Sequence, residues 1–327
     1  MLKLGLIGYF NFGNYGDQLF LKVFDELFPE ANLSVLHSIS RPPYFLGSVK
    51  KKVASVDGIV IGGGDLVIPW SYSALYWRDE YLDKPVFIVG VGVPTWRDQN
   101  DEVMGKLKAF FQHKNVKYIQ CRDKESANWI RSNLKPNIEV VSAPDLACAL
   151  QYQEGCQSNE PVFGLVTRAQ PQIDFSNIYN ICGRAVSLGY SVRNIVLGTD
   201  QIKKADSEVS RNFKFPYQKI VEVNDIDGLS DEIAKCHVVC SMKFHGCVVA
   251  YMMGIPVISL SRADKFVSFF KEIGKELFLS GPADKTLPSK LIDPMYVVSD
   301  AQIAEIKRES KQSLLRFREV VMNQLDH

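Results

Sequence analysis

The chain reads as an α/β protein of two Rossmann-like, doubly wound domains facing a cleft. Three observations predict this. Apolar runs of strand length alternate with segments of helical period along the whole chain. Most of those runs end in Gly, Asp or Pro, as strands do where they open into a ligand crevice. The polar stretch 151–160 interrupts the alternation midway, and a fresh apolar run starts at Pro161. At 327 residues there is room for two domains of ordinary size. We place them at 1–155 and 156–327.

In the first half, residues 2–8 form a buried strand that opens into Gly8-Tyr9-Phe10-Asn11-Phe12-Gly13-Asn14-Tyr15-Gly16-Asp17. Leu19, Phe20, Val23, Phe24, Leu27 and Phe28 then recur at helical spacing, and Pro29 stops the helix. The loop lacks the Lys and Ser/Thr of a phosphate-binding P-loop and does not fit the dinucleotide GxGxxG pattern. Its glycines serve either a tight turn or a close approach of the backbone to a partner. Strands follow at 33–36 and 57–61, the latter running into Gly62-Gly63-Gly64-Asp65. Such a glycine shelf can turn its N–H groups toward an anion. Residues 85–91 form a strand ending in Gly92-Val93-Pro94, 103–111 a helix, and 116–121 a strand. Arg122-Asp123 leads a helix to about 134, and 138–141 is a strand ending near Pro144-Asp145.

The second half repeats the plan. Residues 161–167 form a strand ending at Arg168, 178–188 a helix, and 191–197 a strand ending at Gly198-Thr199-Asp200. A polar segment reaches Lys219, a short strand covers 220–223, and a helix covers 229–235. Residues 237–240 are a buried strand. The turn Ser241-Met242-Lys243-Phe244-His245-Gly246 follows, then an apolar helix over 247–253, a stop at Gly254 and a strand at 256–260. An amphipathic helix begins at Lys265. A last helix over 301–325, with Asp300 as its N-cap and a stripe of Ile303, Ile306, Leu314, Phe317 and Val321, is suited to lie back on the first domain.

Composition excludes several classes. The chain is 46% apolar and 23% charged, with a net charge of +1, which gives no bulk attraction to nucleic acid. No apolar run approaches the roughly 20 residues of a membrane span, and the first residues do not make a signal peptide. The expected location is therefore cytoplasmic, with a membrane-linked substrate met at the inner face and membrane contact at most peripheral. The seven cysteines form no CxxC pair and are expected to be reduced and buried. Cys236, His237, Cys240, His245 and Cys247 are dense, but Cys236 and Cys240 share one face of a strand while His237 takes the other, so no metal site is expected.

The turn at 241–246 is the most chemically loaded stretch. It puts Lys243 and His245 at the positive end of a buried helix, where N–H groups favour anions. The plainer reading is a solvated lysine and a helix-capping histidine.

Taken in order, a set of motifs resembles the polysaccharide pyruvyl transferase family. In the first half these are Gly13-Asn14-Tyr15-Gly16-Asp17, Gly62-Gly63-Gly64, Gly90-Val91-Gly92-Val93-Pro94, Arg122-Asp123 and Pro144-Asp145. In the second half they are Gly164-Leu165-Val166-Thr167-Arg168, Ser241 through Gly246, Gly254-Ile255-Pro256 and Asp264-Lys265. The resemblance implies a GT-B-like fold and transfer of a pyruvyl group from phosphoenolpyruvate to two hydroxyls of a sugar. Phosphoenolpyruvate is then a co-substrate, with no other cofactor, and the acceptor is a sugar or lipid-linked oligosaccharide. No oligomeric state is implied. His245 is the expected acid–base residue. Arg168, Lys243, Ser241, Gly246 and Lys265 are expected on the donor side, and Asn14, Asp17, Gly63 and Gly64 on the acceptor side. Asp17 can equally serve its helix dipole. Lys243 stands where the family usually has Arg, a point charge in place of a fork. Two alternatives are a GT-B glycosyltransferase using a nucleotide sugar, and a non-catalytic family member that binds glycan. The helix after His245 carries no carboxylate to grip a ribose, which speaks against the first.

Overall fold

The computed structural model describes residues 1–39, 44–154 and 159–325. The chain divides into two compact units. The first comprises residues 1–11, 17–149 and 307–327, and the second residues 12–16 and 150–306. Two departures from the expected division stand out. The change of unit falls at 149/150, the expected 155/156 junction lying outside the described residues, and the short segment 12–16 goes with the second unit. The final helix from Lys307 onward goes with the first unit, the side on which it was expected to lie.

The first unit is built on β1 (Lys3–Ile7), β2 (Asn32–Val35), β3 (Gly58–Gly64), β4 (Val86–Val91), β5 (Val116–Cys121) and β6 (Val140–Ser142). They form one sheet in the order β2-β1-β3-β4-β5-β6, every pair parallel. Every residue of β4 is buried, as a strand covered on both faces requires, whereas the edge strand β2 alternates with solvent. The helices are α1 (Tyr15–Leu27), α2 (Val49–Ala54), α3 (Asp101–Phe111) and α4 (Lys124–Asn133). Asn100 caps α3 and Asp123 caps α4, each side chain accepting the N–H three residues on.

The second unit carries β7 (Val162–Val166), β8 (Ser191–Val196), β9 (Gln218–Glu222), β10 (Val238–Ser241) and β11 (Val257–Ser259) in the parallel order β11-β10-β7-β8-β9. Its helices are α5 (Ser176–Ser187), α6 (Asp200–Asn212), α7 (Ile226–Ala234), α8 (Phe244–Met252) and α9 (Asp264–Glu272). The chain runs outward from β7 to β9, then returns to place β10 on the other side of β7. The strand order therefore reverses between β7 and β10, and in the first unit between β1 and β3. Crevices at such points are where open parallel sheets bind ligands.

The final helix, α10 (Asp300–Gln324), is capped by Ser299, whose hydroxyl accepts the Gln302 N–H at 3.3 Å. Asp300, the expected cap, is instead the first helical residue, one place past the observed one. From Lys307 onward α10 packs within the first unit, where the Phe317 ring lies 5.6 Å from Phe28 and 5.5 Å from Tyr118. Among the described residues, no helix is long and apolar enough to cross a membrane.

His37 gives the first unit a pH signature. Its Nε2 accepts the Gly8 N–H at 3.2 Å, which requires that nitrogen unprotonated. Burial, reinforced by Lys52, lowers its pKa from 6.5 to about 4. Below the ordinary value the unfolded chain takes up a proton that the folded chain refuses. Stability is thus complete above that value and is lost as pH falls toward the folded pKa, by at most about 3 kcal/mol. Urea midpoints at about pH 7.5 and about pH 4.5 should differ more for wild type than for His37→Gln. Equal losses in the two proteins would clear His37.

Candidate active site

The crossover of the second unit brings the carboxyl ends of β7 and β10 side by side, with Val166 paired to Ser241. Arg168 leaves one end and the turn 242–243 leaves the other.

The turn is built by Ser241 and Gly246. The fully buried Ser241 hydroxyl accepts the Lys243 N–H at 3.0 Å and donates to the Lys243 carbonyl at 2.8 Å. Gly246 is needed because a Cβ there would stand 2.4 Å from Ser241 Oγ. Its N–H is also used, on the Lys243 carbonyl at 3.1 Å. Both residues were expected to touch the donor. Their polar groups are instead consumed in shaping the turn that presents Lys243 and His245.

Lys243 also departs from expectation. It is 8% exposed, and its ammonium donates to the Leu197 carbonyl at 2.6 Å and pairs with the Asp206 carboxylate. Asp206, on α6, is 2% exposed, and its other oxygen accepts the Ala169 N–H at 2.8 Å. A buried ammonium needs such partners, because an isolated charge is costly away from water. Lys243 is thus part of a strut that ties the exit of β7 to the turn after β10.

α8 begins at Phe244, earlier than the apolar pattern indicated, so His245 lies in its first turn. The imidazole is half-buried and rests against Gly16, where a Cβ would stand 1.8 Å from Nδ1. Phe244 meets His245 edge-on at 5.3 Å and packs on Phe266 and Phe269. Lys265, expected near the donor, has its ammonium 5.8 Å from the Phe244 ring centre.

The glycines of segment 12–16 also answer to packing within this unit. Gly13 has φ +84°, and a Cβ there would stand 2.0 Å from the Thr199 carbonyl oxygen. Its own carbonyl accepts the Thr199 N–H at 2.8 Å, and Asn14 forms an antiparallel bridge with Gly198. Tyr15 Oη lies 2.7 Å from Ser230 Oγ, and burial pushes its phenol pKa up. The backbone approach these glycines allow is to residues 198–199 and to His245.

Exposed Arg168 lines a cavity of about 490 Å³ with Gln170, Met242, Leu260, Ser261 and Arg262 among others. His245, Lys243 and Lys265 are not among its lining residues.

In the first unit, three expected acceptor-side residues come together. Asp17 opens α1 and is 5% exposed. Its Oδ1 lies 3.8 Å from where a Gly64 Cβ would be. Gly63 has φ +79° and leaves room for Phe20, whose ring would otherwise be 2.0 Å from a Cβ. Burial, and then Asp17 and Tyr9, raise the phenol pKa of Tyr76. Asn14 belongs to the second unit. Arg122 pairs with Asp65 at the end of β3 and lies 3.6 Å from Asp123, as a structural arginine does.

Among the described residues no group of three or more His, Cys, Asp or Glu gathers to hold a metal. Burial pushes the Cys236 thiol up to about 12.

Sequence reasoning missed Asp206 and Asp65. Asp206 sits on a helix whose buried residues are Asp206, Ser207 and Ser210, so no apolar stripe marks its inner face. Asp65 had a positional signal, directly after the glycine shelf.

No curated protein matches the chain. Solved structures do. MnaA of S. aureus, in a co-structure with UDP, aligns over 100% of this chain and 98% of its own at 12% identity, with a TM-score of 0.64. The UDP-N-acetylglucosamine 2-epimerase of Rickettsia bellii aligns over 100% and 97% at 12% identity, TM-score 0.62. A putative UDP-N-acetylglucosamine 2-epimerase of Listeria monocytogenes aligns over 96% and 90% at 12% identity, TM-score 0.58. These likenesses establish a GT-B-like fold of two parallel-sheet α/β units. The family model for polysaccharide pyruvyl transferase matches residues 14–264, from the segment that cradles His245 to the start of α9, and the chain belongs to that family.

Proposed function

We propose that the chain transfers a pyruvyl group from phosphoenolpyruvate to two hydroxyls of one sugar, in a cell-surface polysaccharide or its lipid-linked precursor, giving a cyclic pyruvate ketal. The family match across residues 14–264 carries this reading. It is supported by an exposed arginine at the reversal between β7 and β10, and by an imidazole on the same unit.

The donor carries a carboxylate and a phosphate, and Arg168 offers either one a two-pronged hydrogen bond. His245 is the proposed acid. A proton delivered to the methylene carbon turns it into a methyl group and leaves an oxocarbenium-like centre at C2. One sugar hydroxyl adds to C2 and gives up its proton. The C2–O bond to phosphate breaks, and inorganic phosphate leaves. The second hydroxyl closes the ring and loses its proton. The two hydroxyl protons balance the one on the new methyl group and the one taken by the leaving phosphate. Donor and diol together supply every atom, so the reaction needs no oxidant or reductant. Asp17, with Gly63 and Gly64 beside it, is the proposed acceptor-side group in the first unit.

Calorimetric titration with phosphoenolpyruvate, with UDP-sugars as the comparison, tests the reading. Wild type should bind phosphoenolpyruvate, and Arg168→Ala should bind it ~10- to 100-fold more weakly, the worth of a hydrogen bond to a charged group. Binding of a nucleotide sugar in place of phosphoenolpyruvate would replace the proposal with a glycosyltransferase or epimerase activity.

A further inference from the structure

We infer that the Arg168 cavity is a two-arginine anion site in which Arg262 supplies the second cation, and that it takes a small ligand bearing two anionic groups. On the function proposed above, which the choice of ligand rests on, that ligand is phosphoenolpyruvate, held here by its carboxylate and phosphate, so that its methylene carbon has to reach His245 beyond the cavity lining.

The first reason is that Lys243 is committed elsewhere. Its ammonium is occupied by Asp206 and by the Leu197 carbonyl, and it does not line the cavity. A donor with a carboxylate and a phosphate needs more than Arg168.

The second reason is the position of Arg262. β7, β10 and β11 are consecutive neighbours in one parallel sheet, so their carboxyl ends lie in a row about 5 Å apart. Arg168, Met242 and Arg262 follow those three ends in turn, and all three line the cavity. Ser241 and Ser259 are register partners on β10 and β11. Each closes the turn after it in the same way. Ser259 Oγ accepts the Ser261 N–H at 3.0 Å and donates to the Ser261 carbonyl at 2.5 Å, as Ser241 does with Lys243. The backbone that launches Arg262 is therefore fixed.

The third reason is that the Arg262 side chain is steered without being consumed. Its side chain is 60% exposed, and one Nη2 N–H donates to Asp284 at 3.2 Å. That bond uses one of the five N–H donors of a guanidinium. Asp284 is itself held by Thr286, through N–H at 2.9 Å and Oγ1 at 2.6 Å, and by Ser280 Oγ at 2.8 Å. These donors keep its carboxyl ionised, well below the usual range. Two arginines against one aspartate leave the lining with a surplus positive charge. A volume of about 490 Å³ falls in the range of small-molecule sites.

The test is calorimetric titration of the full chain with phosphoenolpyruvate and, separately, with inorganic phosphate, for wild type, Arg168→Ala and Arg262→Ala. Thermal melts confirm that the variants fold. The expected result is a ~10- to 100-fold loss of affinity in Arg262→Ala, comparable to that in Arg168→Ala. If Arg262→Ala binds both probes as wild type does while Arg168→Ala does not, the second cation is not Arg262, and the pyruvyl-transfer reading survives. If wild type ignores phosphoenolpyruvate but binds phosphate in an Arg262-dependent way, the anion site stands and the choice of donor falls. Wild type that binds neither probe overturns the site.

Discussion

Asp206→Ala is expected to lose about 3–5 kcal/mol of stability, the cost of leaving one partner of a buried ion pair unpaired. Lys243 and Asp206 are both buried, and the carboxylate also holds the Ala169 N–H. Removing it strands an ammonium with the Leu197 carbonyl as its remaining acceptor among these contacts. Against a total stability of about 5–15 kcal/mol, that is a large fraction. Asp206→Asn keeps an acceptor for Ala169 and should lose less. The double change Asp206→Leu with Lys243→Met removes both charges and should recover much of the loss, because an ion pair replaced by apolar groups is often neutral. Urea unfolding of the four proteins decides the matter. A loss under about 1 kcal/mol in Asp206→Ala would mean that the pair behaves as a solvated surface bridge.

Gly16→Ala is expected to cut turnover close to the level of His245→Ala, whose own loss should be about 10²–10⁴ if it is the acid of the reaction. A Cβ on Gly16 would stand 1.8 Å from Nδ1, 2.3 Å from Cε1 and 2.5 Å from Cγ of the imidazole. The ring must therefore move. The stability effect should be smaller, because Gly16 sits in the first turn of α1 with no left-handed φ, so the backbone accepts alanine, whose helix preference over glycine (roughly 1 kcal/mol at an interior position) is at most partly gained there. Activity and stability thus part company in this variant. Phosphate release from phosphoenolpyruvate in the presence of a diol sugar is the readout. The double variant should be no slower than His245→Ala alone, since both changes act on one group. Turnover within about twofold of wild type in Gly16→Ala would detach the imidazole position from the chemistry.

The parallel sheets were legible because strands buried on both faces write themselves as unbroken apolar runs, as in residues 86–91. Helix α6 was not legible. Its buried residues are an aspartate and two serines; Ser210 bonds Thr167 and Asn194, and Asp206 pairs with Lys243 and accepts the Ala169 N–H. Periodicity arguments detect burial through apolarity, so a helix buried through hydrogen bonds passes for a loop. The same limit governs the site. His245 and Arg168 could be picked out because their types and positions are uncommon. The fate of Lys243 could not, because it depends on Asp206, a residue 37 positions away whose carboxylate reaches it only through the fold. Ser241 and Gly246 were read as ligand contacts, whereas their hydroxyl and missing side chain close a turn. A polar residue at a strand end can serve a ligand or its own backbone, and sequence does not separate the two.

The assignment of 12–16 to the second unit and 307–327 to the first has a practical consequence for anyone dissecting the chain. No single cut yields either unit whole. A fragment starting at residue 150 would carry His245 without Gly16, leave Gly198 without its bridge to Asn14, and trail the Phe317 face of a helix whose partners Phe28, Phe87 and Tyr118 it lacks. Its complement would keep those aromatic partners uncovered. The two halves of the sequence are thus covalently interleaved: the second unit needs everything from 12 to 306, and the first needs the helix from 307 onward as well as its own sheet.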